Sequence, residues 1–390
     1  MFLQIHTLTS YHASLLNRDD AGLAKRIPFG GTERLRVSSQ CLKRHWRVWM
    51  MQRAALPSGI RSRFFFSREL KPRLIAEGME AELAHELLLE LAKNIFTTAG
   101  DKDALDKETL QMKQPVLFGR PEADYLVGLV QKAASQGNEA AAKTWLADRI
   151  KEDKKNFKAM LRQAGFDDPA AGFEGAMFGR FVTSDLLARV DAPVHVAHSF
   201  TTHALDTEVD FFTVVDDLAD DDETGAAHAN DTELGAGIFY GYVAVDVPLL
   251  ISNLTGCDPA NWREQEAIHA RQLLDQLIHA IATVTPGAKL GATAPYARAE
   301  HIILEVGTGQ PRSLANAFLK PVRLNGREHP MVQSVNAMAG YLSSLSGMYG
   351  DDVERRSLAS LHPWPREEEK PESLNLAISD SLEALFGAAS

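Results

Sequence analysis

Gln40, Lys43, Arg44 and Arg47 fall at i, i+3, i+4 and i+7 within "SSQCLKRHWRVWM", so one helix face would carry an amide and three cations. Ser38 or Ser39 stands where an N-cap is wanted, which puts backbone N–H groups and the positive dipole end at the start of that face. A helix N-terminus, a hydroxyl, an amide and three cations on one stripe make a surface for oxyanions, phosphate above all. Leu42, Trp46 and Trp49 lie on the opposite side and should face the core. Upstream, Arg18, Lys25, Arg26, Arg34 and Arg36 sit in residues 10–37, which read as a loop-rich connection with turns at Asp19-Asp20 and Gly30-Gly31. The same stripe would also suit a solvated basic helix that only balances acidic residues elsewhere.

The charge distribution sharpens that choice. The 390 residues carry a formal charge of −11, yet Met1 to Arg63 holds 11 Lys/Arg against 3 Asp/Glu. A basic front end therefore precedes an acidic body. That balance argues against a generic DNA-coating protein, while a local cluster still binds phosphate, since salt confines each field to roughly 8 Å. Cys41 and Cys257 are the two cysteines, too few and too far apart for a disulfide framework or a four-cysteine zinc site, which suits a reducing, cytoplasmic setting. "MFLQIHTLTSYH" has no basic n-region, so no signal peptide is expected. "GIFYGYVAVDVPLLI" is interrupted by Asp246 and too short to span a bilayer, so no membrane association is expected.

Three further groups invite chemistry. From Asp206 to Glu223 there are nine acids and no Lys or Arg around "FFTVV", a composition open to a divalent cation or to a solvated loop; the spacing fits no EF-hand. "HVAHSFTTH" holds His195, His198 and His203, but neighbours three or five apart on a strand face opposite ways, and His195 and His203 would lie about 26 Å apart, so no metal is expected there. Lys151, Lys155, Lys158 and Arg162, with Lys154 alongside, form a helical cationic face that is either solvated or nucleic-acid binding. The chain has no HExxH, GxSxG or GxxxxGK[ST], hence no protease, hydrolase-elbow or P-loop signature, and no cofactor is expected.

The elements that must position these groups follow an α+β order. "FLQIHTLTS" reads as a strand and Ser38–Arg53 as a helix; residues 59–181 are helical in composition. "VHVAHSFTTH", "GIFYGYVAVDV" and "EHIILEVGTG" restore strand character, with the helix "NWREQEAIHARQLLDQLIHAIATV" before the last. The simplest reading is a ferredoxin-like βαββαβ sheet with a helical insertion, followed by a proline-marked linker and a short final helix over 351–390.

"LNRDD", "FGG", "RLRVSSQCLKR", "HSFTTHALDTEVDFFTVVDDL", "GAGIFYGY", "PGAK" and "SLANAF", in this order, resemble the crRNA-binding backbone subunits of type I-E CRISPR Cascade complexes, the CasC group of the Cas-seven family. The resemblance runs from the first strand to about Phe318. It implies a discontinuous RRM-like palm (1–58 and 182–350), a helical fingers insertion (59–181) and a protruding β-hairpin thumb (205–235). It also implies a non-catalytic subunit of antiviral defence that polymerises along crRNA in a helical filament of its own copies. Such a subunit holds and kinks the guide for pairing with target DNA, beside other Cascade subunits (CasA, CasB, CasD and CasE). Ser38, Gln40 and Lys43 match the guide-backbone contacts; Arg18, Lys25, Arg26, Arg44 and Arg47 fall in the same surface. Phe181, Phe212 and Thr213 match apolar contacts beside a displaced base, and Lys151, Lys154, Lys155 and Lys158 match fingers lysines that attract duplex DNA.

Two rivals remain at this stage. An RNA-cleaving, type III-like backbone would use a loop aspartate, here Asp19 or Asp20, although these are expected to pair with Arg18 or Arg34. A free-standing RRM-type protein would need stacking aromatics on exposed strands, which "GIFYGYVAV" half resembles.

Overall fold

The β-branched, alternating segment "FLQIHTLTSYHAS" forms β1 (Phe2–Ser14), which pairs antiparallel with a strand on each side and is buried on both faces over most of its length. The structure is a computed structural model that describes residues 1–96, 105–153, 171–180, 190–214, 228–287, 290–351 and 353–387, with backbone alone for 153, 212–214, 228–230 and 290. The remaining strands are β2 (Arg26–Phe29), β3 (Thr32–Val37), β4 (Ile60–Ser62), β5 (Val116–Phe118), β6 (Val194–Val196), β7 (Ser199–Thr201), β8 (Thr207–Val214), β9 (His228–Asp246), β10 (Ala299–Gly307) and β11 (Val353–Ser360).

The chain divides into two compact units. The first takes in Met1–Arg53, His195–Val247 and Arg271–Ser390; the second takes in Ala54–Val194 and Pro248–Ala270. In the first unit the main sheet runs β11-β10-β1-β9-β7-β3-β2, with β6 and β8 also paired to β9. Helix α1 (Ser39–Met51) follows β3, and the helix Ile268–Thr283 separates β9 from β10. One sheet face is covered by Leu314, Phe318 and the Met331, Val335, Met338 and Leu342 ridge of the helix Pro330–Tyr349. On the other, Trp46 of α1 and Ile281 border Ile5, Thr7 and Val243.

The two covers bury Phe239 and Tyr240 on opposite faces of β9. Phe239 and Tyr240 are 4% and 1% exposed, and the Tyr240 hydroxyl accepts the Leu314 N–H at 2.9 Å. Below the same face Glu305 is fully buried between Arg312 (2.7 Å) and Arg356 (2.7 Å), with the His6 ring 3.4 Å away. Burial works to raise its carboxyl, but His6, Arg356 and Arg312 override that and hold it well below the usual carboxylate range. His301, wholly buried, lies 2.9 Å from the Ser360 hydroxyl and tilts against the Trp364 ring at 5.1 Å. Burial, then the neighbouring His362 and His6, push its pKa down to about 3.

Two stretches depart from the sequence reading. Residues 26–37 form a hairpin rather than a loop, closed by Gly30 and Gly31 at φ 63° and 80°, the two positive values a type I′ turn requires. A Cβ on Gly30 would fall 1.8 Å from the Leu319 carbonyl oxygen, so that position admits no side chain. Residues 353–360, read as linker, form β11, which pairs with β10 and carries the C-terminal segment back into the first unit.

The second unit has its own core, in which Leu87, Leu88 and Leu91 of the helix Ala81–Phe96 meet Leu126 and Val130 of Arg120–Ala134 and Leu146 and Ile150 of Glu139–Asp153. β4 and β5 pair beside it, and the Phe65 and Phe118 rings stack at 3.8 Å. Residues 248–270, which the sequence reading kept with the sheet, belong to this unit. Among the described residues no helix is long and apolar enough to cross a membrane.

Candidate nucleic-acid interface

Ser38 is the N-cap of α1, with φ −70° and ψ 146°, and its hydroxyl accepts the Cys41 N–H at 3.3 Å. Its own N–H donates to Asn17 Oδ1 at 2.9 Å. The Ser39 N–H donates to His198 Nδ1, also at 2.9 Å. Of the two serines that could cap, Ser38 is the one that does; it is buried, and two of the first N–H groups are already taken. Gln40 and Arg44 are exposed beside this terminus, and Lys43 and Arg47 are half-buried along the same stripe. Burial pulls the Lys43 ammonium below its ordinary pKa. Arg47 Nε is buried and finds no hydrogen-bond partner among the described residues.

The segment before the hairpin folds onto the same place. The Lys25 N–H donates to the Asn17 carbonyl at 2.9 Å, and the Arg36 N–H to the Lys25 carbonyl at 2.8 Å. Asp19 spends Oδ1 on the N–H groups of Ala21 and Leu23, both at 2.9 Å, so it shapes the loop rather than pairing with Arg18 or Arg34. Arg18 is exposed at the bridge to Ala24. Lys25 and Arg36 both act on His198: burial first, then these two charges, lower its pKa. Lys25 and Arg44 similarly reach Cys41, although burial dominates there and raises the thiol. Lys25, Arg36, Arg44 and the start of α1 thus converge. The sequence places Arg36 in the segment bordering this surface, while only folding brings His198 alongside.

Two expected members turn elsewhere. Arg26 pairs with Glu233 of β9 and more loosely with Glu33 at 3.5 Å. Arg34 is fully buried, donating to the carbonyls of Thr201 (2.9 Å), His203 (3.3 Å) and Phe318 (2.8 Å) and to Thr32 Oγ1 (2.9 Å). Arg34 is wholly engaged inside the first unit, while Arg26 keeps about one-third of its side chain exposed beside its acidic partners.

The remaining predicted residues divide by what the structure describes. Phe212 and Thr213 lie in β8, with backbone partners Asn230 and Ala229 on β9; their side chains are outside the described residues. Val209 and Phe211 of β8 are 64% and 66% exposed, beside Glu208 and Asp210. Phe181, Lys154, Lys155 and Lys158 are outside the described residues. Lys151 is exposed on the second unit, 3.6 Å from Asp148. His203 is buried, its Nδ1–H donating to the Ala204 carbonyl (2.7 Å) while Nε2 accepts the Ile238 N–H (3.2 Å). Among the described residues no group of three or more His, Cys, Asp or Glu is arranged for a metal ion.

A family model described as "CT1975-like protein" matches residues 3–387. No curated protein matches the sequence. A solved structure described as a "CRISPR RNA-guided surveillance complex, pre-nicking" has a chain similar to this one at TM-score 0.80 and 27% identity, covering 99% of this chain and 100% of that one. A second, described as a "CRISPR RNA-guided surveillance complex", has a similar chain at TM-score 0.69 and 22% identity, covering 98% and 100%; that likeness is one of fold.

Proposed function

The chain belongs to the CT1975-like protein family, and from that premise we propose that it is a non-catalytic RNA-binding backbone subunit of a CRISPR RNA-guided surveillance complex. The observation that carries this reading is the convergence of Lys25, Arg36 and Arg44 near the capped start of α1, with Lys43 and Arg47 half-buried further along the same helix face. Cations grouped there meet phosphates without reading base sequence, which is what a subunit serving any guide needs.

In its finer form the proposal is a type I-E Cascade backbone of the CasC group. The antiparallel sheet of the first unit is its RRM-like palm, the helical second unit its fingers, and the β8–β9 hairpin a thumb that displaces a base of the guide. Copies of the chain line up along one crRNA, hold it for pairing with target DNA and meet the other subunits at the ends. The similar chains in surveillance complexes support this reading. The test is the elution size of the purified chain with and without a guide RNA, followed by nuclease digestion. Length-dependent assembly with regular protected intervals is expected; a single protein bound to RNA of any length would overturn the backbone role.

A further inference from the structure

Next to the cationic stripe, α1 borders an open groove of about 440 Å³, within the range of ligand-sized clefts. Arg44, Val48 and Trp49 line it from α1, Val284 and Thr285 from the segment after the helix Ile268–Thr283, and Tyr296 from the next loop. Tyr296 is 72% exposed and Val48 47%. The Arg53 guanidinium lies 4.1 Å over the Trp49 ring.

The groove is built on fixed backbone. Thr285 Oγ1 both donates to the Ala297 carbonyl (3.2 Å) and accepts the Ala297 N–H (3.1 Å), clamping the residue next to Tyr296. His45 Nδ1–H donates to the Cys41 carbonyl at 2.8 Å, so its Nε2 is left to accept the Gly287 N–H at 3.4 Å. That pair ties the 284–287 segment to α1. A tyrosine ring left in water on so constrained a loop gains the fold little apolar burial.

The chemistry of the lining selects the occupant. It offers aromatic faces and a guanidinium and contains no carboxylate, which suits a planar base on an anionic chain. Arg44 belongs both to the groove and to the stripe of Gln40, Lys43 and Arg47, so a strand held along the stripe passes the groove mouth. We propose that this groove takes a nucleobase of the strand whose phosphates the stripe holds, stacking it on Tyr296 beside Arg44 irrespective of its identity. The inference rests on the RNA-backbone reading above and adds a base subsite to it.

The test uses the full chain and two probes of equal length, an unstructured single-stranded RNA and the same ribose–phosphate chain without bases, read by fluorescence anisotropy. Tyr296→Ala should weaken the RNA roughly 5- to 100-fold, the effect of losing one aromatic stacking partner, and leave the abasic chain unchanged. Tyr296→Phe keeps the ring and should bind as the parent does. Equal weakening of both probes, or of neither, overturns the subsite while leaving the phosphate reading intact. Failure of the parent protein to bind either probe overturns both. Unchanged affinity for short RNA with loss of assembly on long RNA would assign the groove to a neighbouring copy and overturn the subsite.

Discussion

The Ser39 N–H donates to His198 Nδ1 at 2.9 Å, so this imidazole closes the N-terminus of α1 from a residue 159 positions away. An accepting Nδ1 places the ring proton on Nε2, and burial together with Arg36 and Lys25 disfavours a second proton. His198→Ala should therefore lower stability by about 1 kcal/mol, the usual cost of a lost helix cap. His198→Asn, whose amide oxygen can accept in place of Nδ1, should recover part of it. Urea midpoints at constant slope measure both, and an unchanged midpoint in the alanine variant would remove the cap from the account.

Lys43 and Arg47 define the stripe's far end. Reversing both to Glu should abolish retention of guide RNA while the far-ultraviolet circular dichroism spectrum stays that of the parent. For the parent, the proposed interface predicts about five phosphate contacts on a single strand and hence a salt slope of roughly −3.5, or about 100-fold weaker binding between 50 and 200 mM salt. Filter binding across a salt series tests this, and full retention by the folded double variant would contradict it.

Arg26 distinguishes a cation in the basic region from one in the site. Its pairing with Glu233 predicts that Arg26→Ala leaves the salt slope of RNA binding unchanged, whereas Lys25→Ala reduces it by about 0.7. Glu233→Gln should cost about 1–2 kcal/mol, less than the 3–5 of a fully buried pair because Arg26 is about one-third exposed. Equal slope changes for Arg26→Ala and Lys25→Ala would return Arg26 to the interface.

His301 gives the fold an acid sensitivity. Its pKa is about 3 folded against 6.5 unfolded, so between these values the unfolded state holds the extra proton. Its contribution to stability is complete above pH 6.5 and declines as pH falls toward 3. From pH 7 to pH 5 the loss should be about 2 kcal/mol. Glu305, held low in the fold, loses its contribution in the same direction but mainly below about 4.5, the ordinary carboxyl value, so it adds little to the slope in that window. Denaturant titrations at pH 5 and 7 check this, and His301→Phe should flatten the difference; an identical slope in that variant would clear His301.

How much of this is legible beforehand depends on the distance between partners. The α1 stripe and its serine cap are local patterns and can be read from thirteen consecutive residues. The fate of Arg34 cannot, because its acceptors come from Thr201, His203 and Phe318. Arg26 likewise looks free until Glu233, 207 residues on, is folded against it. "RIPF" and "TERLRV" read as loop because charged residues interrupt them, and pairing across the Gly30-Gly31 turn makes them strands. "VERRSLAS" has too little apolar character to announce β11; its register with Glu305 and Leu304 supplies what its composition lacks.

The flanks of the main sheet have a consequence for any second strand that meets them. β2 ends one flank with Pro28 in its middle, a residue with no N–H to offer a foreign strand. β11 ends the other with Glu354, Arg355 and Arg356, and its Leu358 carbonyl is already taken by the Glu372 N–H. A foreign strand therefore finds no easy backbone ladder to extend at either end of this strand order.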